Sequence, residues 1–319
     1  MSAFILRRLW TSIPVLFLIT FITFLMINAA PGDPIDFMID PEMGGSAANR
    51  EALREALGLD KPLIVRYFIW LGEILQGHLG YSGMTSMPVA RVIGSRIGPT
   101  LLLMTTAMAF SLLVGIPLGV IAALRQYSWI DHLITLFAFT WISVPGFFAA
   151  LAALYVFALK LDLFPTFGMT SLTGSKNPTL DVLWHLVLPA MVLGLEHLAA
   201  YVRYTRSSML EVIRQDYVTT AKAKGLPYRL VITRHAFRTA LLPILTIIGL
   251  QLPSLFGGAV LIETIFSWPG MGSLSVEAVS IRDYPTIMAF NLITALLVMG
   301  SNLITDISYQ FADPRVRYS

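Results

Sequence analysis

The sequence predicts an all-α membrane protein with six transmembrane helices. Of its 319 residues, 56% are hydrophobic and 13% are charged, whereas an average soluble domain carries about 25% charged residues. Mean hydropathy is +0.72. Five stretches without charge approach or exceed the roughly 20 residues that cross a hydrocarbon core, and one weaker stretch completes the set. The predicted spans are 9–30, 101–124, 133–159, 183–201, 241–262 and 284–305.

Two of these spans differ from a plain apolar stretch. Span 183–201 contains His185, Glu196 and His197, but without it the loops on either side could not lie on opposite membrane faces. Span 9–30 follows Arg7 and Arg8 and has the general form of a cleaved signal peptide. Its apolar core exceeds the 7–15 residues of such peptides, which favours an uncleaved anchor.

The basic residues predict the orientation. With the N-terminus inside, the cytoplasmic segments are 1–8, 125–132, 202–240 and 306–319, and these contain 13 of the 22 Lys and Arg residues. Because basic flanks resist translocation, both termini are expected in the cytoplasm. A net charge of +3 is also compatible with nucleic-acid binding, but short basic loops beside apolar spans favour a topological role, with no nucleic-acid partner.

The chain is predicted to have three parts. Residues 1–30 form the N-terminal tail and first span, residues 31–100 an extracytoplasmic helical insertion, and residues 101–319 a five-helix core. Within the insertion, residue composition and spacing predict short helices over 49–57 and 63–75. The insertion is expected to be a folded cap over the first two spans, or alternatively a contact platform for a soluble partner that delivers substrate.

The cytoplasmic loop 202–240 is predicted to dock another protein. A helix here would project Arg214, Lys222 and Lys224 outward, and Gly225 would end it; a second helical run is predicted over 228–239. The alternative is a solvated basic loop that only fixes topology, but nearly forty residues exceed what a topological loop needs. The stripe that the first helix is expected to bury consists of Leu210, Ile213, Tyr217 and Ala221.

Sequence motifs in this loop and elsewhere resemble one permease family. TAKAKGL (220–226) and RHA (234–236) resemble the coupling loop of permeases in ATP-driven (ABC) importers, in the form carried by the dipeptide/oligopeptide/nickel permease family. Only Ala221 and Gly225 match the general Glu-Ala-Ala-x₃-Gly pattern, a departure usual in that branch. Further matches occur in order: FLMINAAPGDP (24–34), GHLGYS (77–82), RVIGSRIGPTLLL (91–103), GIPLGVIAA (115–123), YVRYTRSSMLEV (201–212), SWPGMG (267–272) and RDYP (282–285).

The resemblance implies a fold like that of type I ABC importers and a place in the bacterial or archaeal cytoplasmic membrane. It implies partners: a second, homologous permease, two ATPase subunits and an extracytoplasmic binding protein. The sequence has no G-x-x-x-x-G-K-[ST] loop, the motif that binds ATP phosphates. We therefore expect that the chain is not an enzyme and holds no cofactor. ATP and Mg²⁺ are expected to bind to the partner subunits. The residues implied to contact the ATPase are Thr220, Ala221, Lys222, Ala223, Lys224, Gly225, Leu226, Arg234 and His235.

Polar residues inside the spans are candidates for the translocation pathway, because they are costly in lipid. They are Glu196, His197, Gln251 and Asn291. The alternative is that they form hydrogen bonds between helices. Pro145-Gly146, Pro189, Pro253 and Gly257-Gly258 interrupt spans and are expected at packing sites, kinks or hinges. The five His residues are too dispersed to predict a metal site, and there is no cysteine.

Together these features predict a membrane-embedded importer subunit for di- or oligopeptides. A nickel, glutathione or oligosaccharide importer is an alternative within the family. An ion-coupled secondary transporter is an alternative from another class, but such a protein is expected to bury ionisable residues in mid-span, and five of the predicted spans have none.

Overall fold

The computed structural model describes residues 2–29, 51, 60–174 and 176–312, and within them every named element is helical. The helices are α1 (Ser2–Ala29), α2 (Leu63–Leu75), α3 (Val89–Leu124), α4 (Trp129–Ser143), α5 (Gly146–Ala153), α6 (Pro178–Ile213), α7 (Asp216–Ala223), α8 (Arg238–Ile265), α9 (Met271–Ser280) and α10 (Tyr284–Ala312). Leu154–Lys160 and Val231–Phe237 are π-helical, and Tyr228–Leu230 is a short helical turn. The helix predicted over 63–75 is confirmed, whereas that over 49–57 lies outside the described residues except for residue 51.

Four helices of the described chain are long and apolar enough to cross a membrane: Leu6–Ala29 in α1, α3, α6, and Tyr284–Ile307 in α10. The number rises to six if each of two bent pairs is one span. The first pair joins α4 to Gly146–Lys160 at 103°, and the second joins Tyr228–Leu241 to Pro243–Gln251 at 45°. The all-helical class is therefore confirmed, with four to six candidate spans.

The predicted interruption at Pro145-Gly146 is confirmed. Val144 has ψ 122° and Pro145 has ψ 133°, so the chain is extended between α4 and α5. A proline disfavours helical geometry in the residue before it and lacks the N–H that would continue the helix, which explains the sharp bend. Pro189 and Pro253, by contrast, lie inside the helices α6 and α8. The bend in α8 lies between Leu241 and Pro243 instead.

The chain forms two compact units, the first made of Met1–Pro99 and Gly270–Met299. Its main core packs Val89, Ile93 and Leu274 with Met271 and Ala289. A buried polar network joins two of the sequence motifs: the hydroxyls of Ser82 and Thr286 each donate to Oδ2 of Asp283 at 2.7 Å. GHLGYS and RDYP thus form one structural feature, although the bonded residues Ser82 and Asp283 are 201 positions apart in sequence.

The second unit comprises Thr100–Pro269 and Gly300–Ser319. In it α6 is the most enclosed candidate span, with 61% of its apolar window buried. Asn177 caps the helix by accepting from the backbone N–H of Leu180 at 3.3 Å, and Pro178 occupies the first turn. The predicted span 183–201 is thus the central part of a longer helix.

Small residues allow α3 and α6 to approach closely. A Cβ at Gly119 would lie 2.6 Å from Thr205 Cβ and 2.8 Å from the carbonyl oxygen of Val202, and a Cβ at Gly194 would lie 2.8 Å from the carbonyl oxygen of Ala107. Ser111 also donates to the carbonyl of Gly194 at 2.7 Å. This contact depends on backbone proximity, as is common between helices in membranes.

Candidate functional site

The end of α7 has the geometry of a Schellman motif. The N–H of Leu226 donates to the carbonyl of Ala221 at 3.4 Å, and the N–H of Gly225 donates to the carbonyl of Lys222 at 3.0 Å. Gly225 has φ +74°, a left-handed conformation that glycine adopts without the steric penalty of a Cβ. The predicted helix end at Gly225 is therefore confirmed, and its cause is the left-handed backbone conformation of this glycine.

The inner side of α7 is held by an apolar cluster. Val218 and Ala221 pack in it with Met209 of α6 and with Val231 and Ala236 of the π-helical segment, and each of these five side chains is buried. Leu210 and Ile213 are partly buried against the same cluster. The expectation for Tyr217 was wrong, since this side chain is 43% exposed.

The phase of the buried stripe changes between α6 and α7. The chain is helical through Ile213 and extended at Gln215, where ψ is 148°, before α7 begins at Asp216. A single helix would have placed Tyr217 inside, but this interruption resets the rotation and Val218 takes the inner position instead.

The outer side of this structure is an exposed basic surface, here called the α7 surface. It consists of Thr220, Lys222, Ala223, Lys224, Gly225 and Arg234, all exposed, with Leu226 and His235 half-buried at its margin. A Cβ added at Gly225 would meet no other atom within 4 Å, so the space outside this glycine is open. Among the nine residues predicted to contact an ATPase, Ala221 differs, since it faces the apolar cluster.

An ion pair connects the start of α4 to α6 close to this region. Arg206 donates from Nε to Oδ1 of Asp131 and from one terminal nitrogen to Oδ2, both at 2.7 Å. Asp131 is buried and also accepts from the N–H of Tyr127 at 3.0 Å. Two parallel, charge-assisted bonds fix the relative position of both helices.

The pathway candidates fall into two groups. In the second unit, the buried ring of His197 lies beside the side chain of Gln251, and its Nε2 has no hydrogen-bond partner among the described residues. Glu196 is exposed and lies at the α4–α5 break, where its Oε2 would be 3.3 Å from a Cβ at Gly146. Asn291 belongs to the first unit and donates to the carbonyl of Ile287 in its own helix at 3.0 Å.

Sequence reasoning did not identify the buried contacts of four charged residues, Glu263, Asp283, Asp131 and Arg206. Glu263 is fully buried and accepts a 2.6 Å hydrogen bond from Thr100. Asp283 forms the network with Ser82, and Arg206 the pair with Asp131. The only sequence feature that could have indicated the burial of Glu263 is its position directly after a predicted apolar span.

The described residues contain no group of three His, Asp or Glu side chains that could hold a metal ion. The described residues instead present the exposed basic α7 surface and dispersed polar side chains on long apolar helices.

Comparison with known proteins gives the class of this protein. Residues 115–318 match the family model described as binding-protein-dependent transport system inner membrane component, and residues 1–105 match the model for the N-terminal part of such membrane components. The chain belongs to this family of inner-membrane transport components. It is a transport subunit of the bacterial inner membrane and not an enzyme, and the family name implies a binding-protein partner.

Named relatives extend over the full chain. The oligopeptide transport system permease protein AppB of Bacillus subtilis (strain 168) is 45% identical over 319 residues, covering 100% of both chains. The dipeptide transport system permease protein DppB of Escherichia coli (strain K12) is 39% identical over 338 residues, covering 100% of this chain and 99% of the relative. The di/tripeptide transport system permease protein DppB of Pseudomonas aeruginosa (strain UCBPP-PA14) is 41% identical over 340 residues, again covering 100% and 99%.

A solved structure also shares the fold. A chain of the MetNI methionine ABC transporter in an inward-facing conformation superposes with a TM-score of 0.58, covering 72% of this chain and 100% of that chain at 14% sequence identity. This likeness supports an ABC-importer permease fold, and at this identity it is informative about the fold alone.

Proposed function

We propose that this chain is a permease subunit of an ATP-driven importer that passes di- and oligopeptides across the bacterial cytoplasmic membrane. The observation that carries the proposal is full-length similarity, at 39–45% identity, to permeases named for oligopeptide, dipeptide and di/tripeptide transport. A permease without a nucleotide-binding loop needs a separate ATPase. The basic α7 surface supports the proposal because it offers an exposed place for that ATPase to bind.

The proposed topology has six spans with both termini in the cytoplasm. The two bent pairs each count as one span, and loop 202–240 then lies on the same side as the termini. In this arrangement the α7 surface faces the cytoplasm, where an ATPase is available. Its basic character agrees with the preference of Lys and Arg for cytoplasmic loops.

The α7 surface is proposed to dock the ATPase. Its contact residues are Thr220, Lys222, Ala223, Lys224, Gly225, Leu226, Arg234 and His235, and Ala221 supports them from below. Its small exposed residues, Ala223 and Gly225, permit close approach of another backbone. The open space outside Gly225 is the place that a partner side chain would enter.

The packing of α7 would transmit movement of the ATPase to the transmembrane helices. The apolar cluster under α7 includes side chains from α6 and from the π-helical segment that continues into α8. A displacement of α7 would therefore act on α6 and α8 together. These same helices carry Glu196, His197 and Gln251, which are proposed, with Asn291 on α10, as polar contacts along the pathway.

The assembly is proposed to contain a second, homologous permease, two ATPase subunits and an extracytoplasmic binding protein. The partner ATPases would bind ATP and Mg²⁺, and this chain would bind no cofactor. Substrate choice would rest largely on the binding protein, because the candidate pathway residues are few and dispersed.

The peptide assignment can be tested with the complete transporter and its native binding protein in liposomes. Di- to pentapeptides are expected to stimulate ATP hydrolysis and to be taken up. Stimulation by a nickel chelate or an oligosaccharide, with none from any peptide, would overturn the peptide assignment and leave the permease assignment intact. Uptake driven by an ion gradient without ATP would overturn both.

A further inference from the structure

We propose that α2 lies inside the outer half of the bilayer, beside α1, and that its exposed apolar side chains contact lipid acyl chains. The inference rests on α1 being a membrane span and on the proposed cytoplasmic location of the N-terminus. It differs from the expectation that the insertion between the first two spans is an aqueous cap or a platform for a soluble protein.

The depth of α2 follows from the hydrogen bonds of the Tyr67 hydroxyl to α1. The hydroxyls of Tyr67 and Thr20 lie 2.9 Å apart, and the Tyr67 hydroxyl also donates to the carbonyl of Phe17 at 3.3 Å. Arg8 marks one boundary of the apolar part of α1, and the twelve residues from Arg8 to Thr20 rise about 18 Å along a helix. In a hydrocarbon core about 30 Å thick, Thr20 then lies about 12 Å below the opposite boundary.

Packing around Tyr67 holds α2 against the side of α1 and not beyond the C-terminal end of α1. The Tyr67 ring contacts Phe21 and Phe24 of α1 edge-on, with ring centroids 5.1 and 5.6 Å apart, and stacks with Trp70 at 5.9 Å. Tyr67 is only 3% exposed. A buried aromatic contact of this kind fixes the position of the helix at this depth.

The remaining surface of α2 suits lipid. Its 13 residues, LIVRYFIWLGEIL, include two charges, Arg66 and Glu73. These are seven residues apart and so lie on one face; Arg66 stands 5.9 Å from the centroid of Phe24, and Glu73 contacts His78 at 3.0 Å. The exposed large apolar side chains are Leu63, Ile64, Val65, Phe68, Ile69 and Leu75.

Lipid fits this surface better than a water-borne protein does. A soluble partner would need a surface that tolerates water when the partner is absent. Yet six of the 13 residues of α2 are exposed large apolar side chains, and two are charged. A soluble partner also cannot reach a helix fixed about 12 Å below the membrane boundary. The α1 side chains Phe17 and Leu18, near this level, are likewise exposed at 42% and 58%, so α1 also presents apolar side chains at this depth.

The test uses the assembled transporter in liposomes, with nitroxide labels on single cysteines, since the chain has none of its own. Phe68→Cys and Leu75→Cys report on α2, Leu18→Cys on α1, and Lys176→Cys on an exposed loop. Collisions with oxygen, which concentrates in lipid, are compared with collisions with chromium oxalate, which stays in water. Retained peptide uptake shows that each labelled transporter is assembled.

Labels at positions 68 and 75 are expected to match position 18, with frequent oxygen collisions and a loss of chromium oxalate collisions relative to position 176. Water-like behaviour at 68 and 75 with lipid-like behaviour at 18 would overturn the inference and favour an aqueous platform. Protection from both reagents at 68 and 75 would also overturn it, because a protein subunit would then cover α2. Water-like behaviour at position 18 would instead remove the assignment of α1 as a span.

Discussion

Arg206 and Asp131 join α6 to the start of α4 through two parallel hydrogen bonds of 2.7 Å. They are 75 residues apart in sequence. Their side chains are 27% and 4% exposed respectively, so the pair is shielded from water on the carboxylate side. It fixes the helix that carries Glu196 and His197 against the element that precedes the α4–α5 break.

Arg206→Met is expected to destabilise the protein by about 2–3 kcal/mol, somewhat below the about 3–5 kcal/mol for a fully buried pair. The reason is that Asp131 would stay buried without its cation. Thermal unfolding of the purified protein in detergent measures the effect. Arg203→Met is the control, because Arg203 is exposed and stacks over Tyr204 at 5.0 Å.

The double variant Asp131→Asn/Arg206→Met provides an internal check on this explanation. It should be more stable than Arg206→Met alone, since no uncompensated charge remains. If the double and single variants unfold at the same temperature, the ion pair is not the source of the effect.

Gly225 allows the conformational and contact roles of the α7 surface to be separated. Gly225→Ala places a Cβ at φ +74° and costs about 1 kcal/mol, whereas Asn tolerates this conformation but still adds a side chain. Both variants are expected to insert normally and to lose ATPase co-purification and ATP-driven uptake. Normal co-purification of Gly225→Asn would show that glycine serves only the backbone, and that no partner approaches here.

Gly119→Ala is expected to destabilise the contact between α3 and α6. The new methyl would lie 2.6 Å from Thr205 Cβ, and overpacking of this kind costs about 1–3 kcal/mol. Gly98→Ala is the matched control on the same helix, because a Cβ at Gly98 meets nothing within 4 Å. Thermal unfolding and gel-filtration homogeneity are the measurements, and equal stability of both variants would contradict the close packing.

The topology around α6 can be tested with single cysteines at exposed positions on either side of it. Lys176→Cys is expected to react with a membrane-impermeant maleimide in intact cells, and Gln215→Cys only after permeabilisation. Both side chains are exposed, so unequal labelling would not reflect burial. Reaction of both from the same side would show that α6 does not cross the membrane.

The pathway residues are expected to contribute individually small effects. Gln251→Ala and Asn291→Ala should each reduce peptide uptake by at most about tenfold, since a neutral hydrogen bond contributes about 0.5–1.5 kcal/mol. Uptake of several peptides by reconstituted transporter measures this, with exchange of the binding protein as the comparison that should change substrate choice strongly. Complete loss of uptake in either variant, with normal assembly, would identify a specific binding site instead.

Features determined by composition and local pattern were predictable from sequence. Apolar length located the four helices of the described chain that are long and apolar enough to cross a membrane, because lipid requires about 20 residues without charge whatever their neighbours are. Pro145 and Gly225 fixed a break and a helix end, because both act through their own backbone geometry. The family motifs likewise depend only on the order of residues along the chain.

Tertiary structure decided the features that depend on which residues meet. The extended residue at Gln215 turned Val218 inward in place of Tyr217, a rotation that a continuous helical pattern cannot reveal. Hydropathy likewise placed residues 63–75 outside the membrane spans, since 13 residues are too few to cross. The position of α2 along α1 is given by the contacts of Tyr67 with α1, which the sequence does not reveal. The sequence by itself thus determined which segments are helical and apolar, whereas the partners of Asp131, Glu263 and Tyr67 required the fold, because burial and pairing are properties of contacts between distant residues.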